Sequence, residues 1–64
     1  MNNDQLAAAR RVMSEFPTLR IRKSGWKLTP VAPGGATGTT IEVIDTMSPT
    51  VLSSRLREAC EGIA

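Results

Sequence analysis

The stretch Thr18-Leu19-Arg20-Ile21-Arg22-Lys23-Ser24-Gly25-Trp26-Lys27-Leu28-Thr29-Pro30-Val31 alternates apolar and polar side chains on either side of a Ser-Gly pair. Alternation with a period of two around a glycine is the pattern of two short strands joined by a tight turn. With Ser24-Gly25 as the two-residue loop, Ile21 faces Leu28 and Leu19 faces Pro30 on one side, while Arg22 faces Lys27 on the other. Trp26 falls on the side of Leu28 and is expected in the core.

Working outward, Asn2 to Phe16 places Leu6, Ala9, Met13 and Phe16 at helical spacing, the mark of an amphipathic helix. Asn2 or Asn3 can cap it, Asp4 suits the positive end of its dipole, and Pro17 stops it. Downstream, Ala32 to Gly38 holds three of the five glycines and no large side chain, and is expected to be a flexible loop. The β-branched run Thr39 to Met47 predicts a third strand with Ile41, Val43, Asp45 and Met47 toward the core. Ser48-Pro49 then supplies an N-cap and a first-turn proline for a second helix, whose apolar stripe is Leu52, Leu56, Ala59 and Ile63 and whose end is signalled by Gly62. The expected fold is therefore α+β, one domain over residues 1–64: helix, three-stranded antiparallel meander, helix (αβββα), with both helices on one face of the sheet as a two-layer sandwich.

Composition narrows the function. Hydrophobic residues make up 41% of the 64 and charged ones 22%, with Phe16 and Trp26 the only aromatics, so the core must be aliphatic. A folded chain of this mass exposes roughly 4,000 Å², of which an interface of about 800 Å² is a fifth. A lone cysteine, Cys60, forms no internal disulfide, and a small domain from an oxidising compartment usually carries several; a cytoplasmic location is expected. No apolar run approaches the roughly 18 residues of a membrane span, and the polar start Met1 to Gln5 is unlike a targeting segment.

Catalysis is poorly served. Histidine and tyrosine are both absent, which removes the commonest general base and the commonest metal ligand. No enzyme activity, metal or cofactor is expected. Cys60 reads as a structural thiol near a helix C-terminus, where the dipole raises its pKa. Glu58 and Glu61 read as a solvated helix face, and Glu42 and Asp45, an odd number apart on a strand, as pointing to opposite sides. Pro33 to Thr40 is glycine-rich but lacks the Gly-Lys-Ser/Thr ending of a phosphate loop.

What stands out is charge. The net charge of +2 conceals a central block, since Arg20, Arg22, Lys23 and Lys27 occur with no acidic residue between Glu15 and Glu42. The expected hairpin gathers Arg20, Arg22 and Lys27 on its polar face, an arrangement that costs stability unless Glu42 or an external anion neutralises it. The expected partner is another protein, met through an acidic patch by Arg20, Arg22, Lys23 and Lys27 with help from Arg10 and Arg11. Two alternatives use the same chain differently. A small basic DNA-binding regulator would set the hairpin against phosphates, and a homodimer or larger homo-oligomer would complete its core through the heptad-like helix spacings.

In size and layout the chain resembles the small phage-encoded anti-defence proteins of the anti-CRISPR type: short, αβββα, and without catalytic residues or a cysteine scaffold. The resemblance covers the whole chain and rests on architecture, with no shared motif. It implies an inhibitor that occludes a surface of a bacterial defence complex. Many such inhibitors are strongly acidic and imitate DNA, whereas this chain is net basic, which implies a basic hairpin meeting an acidic protein patch.

Overall fold

Asn2 opens the first helix from an extended backbone, accepting a hydrogen bond on Oδ1 from the Gln5 N–H at 2.8 Å and donating its own N–H to Gln5 Oε1 at 3.1 Å. This reciprocal pair is a capping box made with Asn and Gln. In the computed structural model, which describes residues 1–64, it begins α1 (Asn3–Ser14), followed by β1 (Arg20–Ser24), β2 (Lys27–Val31), β3 (Ile41–Glu42) and α2 (Pro49–Glu61). The strands form one antiparallel sheet in the order β1-β2-β3. The helices pack on each other, α2 lies against β2, and neither helix makes more than marginal contact with β1. The fold is the αβββα arrangement expected from the sequence, with β1 overhanging the helix layer.

The hairpin register differs from expectation by two residues. Ser24 pairs with Lys27, Lys23 with Leu28, Arg22 with Thr29, Ile21 with Pro30 and Arg20 with Val31, so the loop is Gly25-Trp26 rather than Ser24-Gly25. Glycine placement explains this: Gly25 has φ +59° and no other residue of the loop has positive φ. A two-residue turn with the positive φ at its first position requires glycine there. The shift of two leaves the faces unchanged, but it puts Trp26 in the loop, 54% exposed rather than in the core.

Pro30 also shortens the sheet. A hydrogen-bonded antiparallel pair exchanges both N–H groups, and proline has none, so Ile21↔Pro30 is a non-hydrogen-bonded pair. Pro30 therefore presents its backbone to the β3 side, where it can accept but not donate, and its carbonyl takes the Gly38 N–H at 2.8 Å. Ladder pairing with β3 is confined to Lys27↔Glu42 and Leu28↔Ile41, instead of the longer strand expected over 39–47. The glycine-rich connection is pinned rather than loose: Ala32 N–H donates to the Ala36 carbonyl at 2.8 Å, Val31 bridges to Thr37, and a Cβ on Gly38 would lie 2.6 Å from the Ala59 carbonyl oxygen and 2.8 Å from Pro30 Cγ.

The core joins Ala9 and Val12 of α1, Leu19, Leu28, Ile41 and Val43 of the sheet side, and Leu52, Leu56, Ala59 and Cys60 of α2. On α2 the expected stripe holds, with Ser48 Oγ accepting from the Val51 N–H at 3.1 Å and Pro49 in the first turn. Gly62 ends it with φ −67°, so the end does not depend on a left-handed glycine. On α1 the buried face is rotated: Gln5, Ala8, Ala9 and Val12 are buried, while Leu6, Met13 and Phe16 are half-buried. The rotation is set by Gln5, wholly buried, whose Nε2 donates to the carbonyls of Ile44 at 2.9 Å and Met47 at 3.0 Å.

Replacing Gln5 with leucine removes the side-chain donor of the Met47 carbonyl and leaves the Ile44 carbonyl with the Met47 N–H at 3.0 Å; it is expected to cost about 2 kcal/mol, a fall of roughly 10 °C in the thermal midpoint. Gln5→Glu keeps the acceptor for Asn2 but loses the donor at neutral pH, so part of its loss should be recovered in acid. Gly38→Ala should cost about 1–3 kcal/mol through overpacking, read by urea titration.

Candidate functional site

Alternation along β1 sends Arg20 and Arg22 to the sheet face away from the helices and Ile21 and Lys23 to the face toward them. All five β1 residues are exposed. The residues opposite the two arginines are Val31 and Thr29, which carry no charge. The one ion pair in the molecule joins Glu15 and Arg57, so Arg20, Arg22 and Lys23 have no carboxylate within ion-pair distance.

Lys27 stands on the same outer face, but on β2 and at the turn end, opposite Ser24 on one side and Glu42 on the other. The sequence expectation that Lys27 faces Arg22 is corrected by the register. Glu42 thus offsets the field at Lys27 and not at the two arginines. Between them Thr29 and Thr40 share a hydrogen bond at 2.8 Å. The outer face is graded across its width: cationic on β1, hydroxyl-lined in the middle, mixed in charge beside β3.

Around the β1 rim, an apolar groove of about 270 Å³ lies between α1 and the hairpin, lined by Leu6, Met13, Ile21 and Leu28 together with Arg10 and Lys23. Arg10 therefore joins the β1 cations. Arg11, one residue on, turns about 100° round the helix to the flank of Glu15, four residues along, and is not part of the cluster. The groove was hidden from sequence because Leu6 and Met13 fit the core stripe. Only the burial of Gln5 moves them to the margin.

Trp26 and Ile44, each 54% exposed, form a second apolar spot in a shallow recess that they share with Val43, Glu42 and Asp45. The two carboxylates were expected on opposite sides of a strand. The strand ends at Glu42, so alternation no longer separates them. The Trp26 carbonyl accepts the Val43 N–H at 2.7 Å and holds this corner closed.

Three titratable groups away from β1 have structural roles. Arg57 binds Glu15 through two hydrogen bonds, Nε to Oε1 at 2.9 Å and a terminal nitrogen to Oε2 at 2.8 Å. These bonds hold the Glu15 carboxyl below its usual range and raise the Arg57 guanidinium. Cys60 is buried with Sγ 3.8 Å from Met13 Sδ. Burial first, and then the charges of Glu15 and Glu61, push its thiol up, in keeping with a packing role. No three His, Cys, Asp or Glu side chains come together as a metal site would require, and no helix is long and apolar enough to cross a membrane.

Comparison with protein-family models, curated proteins and solved structures found no match.

Because the folded Glu15 carboxyl holds its proton less tightly than the unfolded one, the Glu15–Arg57 pair stabilises the fold above the ordinary carboxylate range, about 4.3. That contribution is lost as pH falls through the lowered folded value. Glu15→Gln is expected to lower the thermal midpoint at neutral pH and to leave it unchanged in strong acid, measured by melting across pH.

Proposed function

We propose that this chain is a binding module without chemistry of its own, which sets the β1 rim, Arg20, Arg22 and Lys23 with Arg10 beside them and Lys27 on the adjoining face, against an acidic surface of another protein. The observation that carries the proposal is an exposed edge strand whose three cations have no carboxylate in reach, while the molecule's one ion pair lies elsewhere. Arg20 and Arg22, two apart on one strand, share its outer face, and a cationic patch of this kind complements an anionic one across an interface.

Two further observations favour a protein over the alternatives. An exposed aromatic beside cations is how single-stranded nucleic acid is held, but the exposed Trp26 shares its recess with Glu42 and Asp45, which repel phosphate. The α2 stripe that suggested assembly is used inside the chain, where Leu52 and Leu56 are wholly buried, while on α1 Leu6, Met13 and Phe16 stay half-buried at the margin. Inhibition of a bacterial defence complex by covering one of its surfaces, as the architectural resemblance implies, is the specific form of the proposal. It needs a rigid face of matching charge and no reactive group. With a folded surface of 4116 Å², an ordinary interface of about 800 Å² occupies a fifth of the molecule.

The test is retention of protein from nuclease-treated bacterial lysate by the tagged chain and by an Arg20→Glu/Arg22→Glu variant, with circular dichroism to verify that both fold. A stoichiometric partner kept by the wild type, lost by the variant and weakened by added salt is expected. Equal retention by both sinks the proposal, and recovery of nucleic acid alone before nuclease treatment transfers it to a DNA-binding regulator.

A further inference from the structure

We infer that the free edge of β1 takes up an extended acidic peptide as a fourth strand beside the existing three. The inference rests on the protein-binding reading above and specifies the form of the partner.

Pro30 fixes which backbone groups are available. Since Ile21↔Pro30 is a non-hydrogen-bonded pair, Lys23↔Leu28 two residues away is one too, and pairs of that kind direct N–H and C=O away from the partner strand. The N–H and C=O groups of Ile21 and Lys23 therefore point to the open edge, while those of Arg20, Arg22 and Ser24 are engaged with β2. An incoming strand finds two residues ready to form ladder pairs.

Side chains define what it must carry. Opposed residues share a face, so positions opposite Arg20 and Arg22 lie on the outer face among cations. The position opposite Ile21, itself 38% exposed, lies over the groove of Leu6, Met13 and Leu28. The position opposite Lys23 lies on the same inner face, within the field of Lys23 and Arg10. In antiparallel order from Lys23 to Arg20 the complementary sequence is acidic, acidic, apolar, acidic. A second copy of this chain is a poor occupant. Two-fold antiparallel pairing centred on Ile21 sets Arg20 against Arg22, and centring on Arg22 or Lys23 sets that residue against itself.

The experiment is fluorescence anisotropy of a labelled peptide with a Glu-Glu-Leu-Glu centre, titrated with the full chain at low salt. In an antiparallel strand the N–H groups of its first Glu and its Leu face β1, and the other two face solvent. N-methylation of the first pair is expected to weaken binding by about tenfold or more, and of the second pair to leave it unchanged. On the protein side, Ile21→Pro removes one outward N–H from an edge position that makes no ladder bond to β2, and should give a similar loss with an unaltered far-ultraviolet spectrum. If that variant misfolds, the methylated peptides decide. Equal binding of both methylated peptides, lost in Arg20→Glu/Arg22→Glu, overturns strand addition and leaves the charged-surface reading in place. Absence of peptide binding overturns the inference too, as does displacement by a single-stranded oligonucleotide at lower concentration than by unlabelled peptide.

Discussion

One buried amide governs the arrangement of the whole molecule. Gln5 is fully enclosed, accepts from the Asn2 N–H, and donates to the carbonyls of Ile44 and Met47. The segment between β3 and α2 is irregular and its carbonyls have no ladder to join, so an unpaired one in the interior would be costly. Gln5 meets that requirement from a residue 39 positions upstream of Ile44. In doing so it sets the rotation of α1 about its axis and anchors the residue immediately before the Ser48 cap of α2. Every buried side-chain polar atom has a partner, and in this core most of that work falls to Gln5.

The position of the β1 rim follows from this rotation and from Pro30. With Val12 directed inward, Leu6 and Met13 move to the flank and bound the groove beneath Ile21. With Pro30 unable to donate, β3 does not begin before Ile41, and beyond Glu42 its neighbour β2 has already ended at the turn; the Gly38 backbone packs against Ala59 instead of continuing the strand. Carboxylates thus gather at the β3 side and cations at the β1 side. The charge asymmetry of the surface is a product of backbone geometry as much as of composition.

Order and type of the elements were legible in the sequence because each carries a local signal: period-two alternation in 18–31, helical stripes, and the Ser48-Pro49 start. Helix α2 was readable almost residue by residue, since its N-cap lies within three positions of its partner. What escaped were features fixed by distant residues or by a single dihedral angle. Placing Gly25 first in the turn, rather than second, moved Trp26 out of the core. Nothing near Gln5 in sequence shows that its amide meets carbonyls of the segment between β3 and α2. The basic cluster on β1 was visible as a gap in acidic residues between Glu15 and Glu42. That Lys27 stands opposite Glu42, and that Arg11 faces elsewhere, needed the register and the helix rotation.

The contacts that close the helix layer also impose an order of events on the nascent chain. The hairpin joins neighbours in sequence and can form as soon as Val31 has emerged. By contrast, Gln5 waits for Ile44 and Met47, Met13 for Cys60, and Glu15 for Arg57, the last two separated by 47 and 42 residues. Such non-local closures are slow relative to local ones. Until α2 has left the ribosome, Val12, Leu28 and the inner side of the sheet have no cover. During that interval the cations of β1 are already displayed and repel identical nascent edges on neighbouring ribosomes. The cationic edge thereby guards the half-made chain against sticking to its copies.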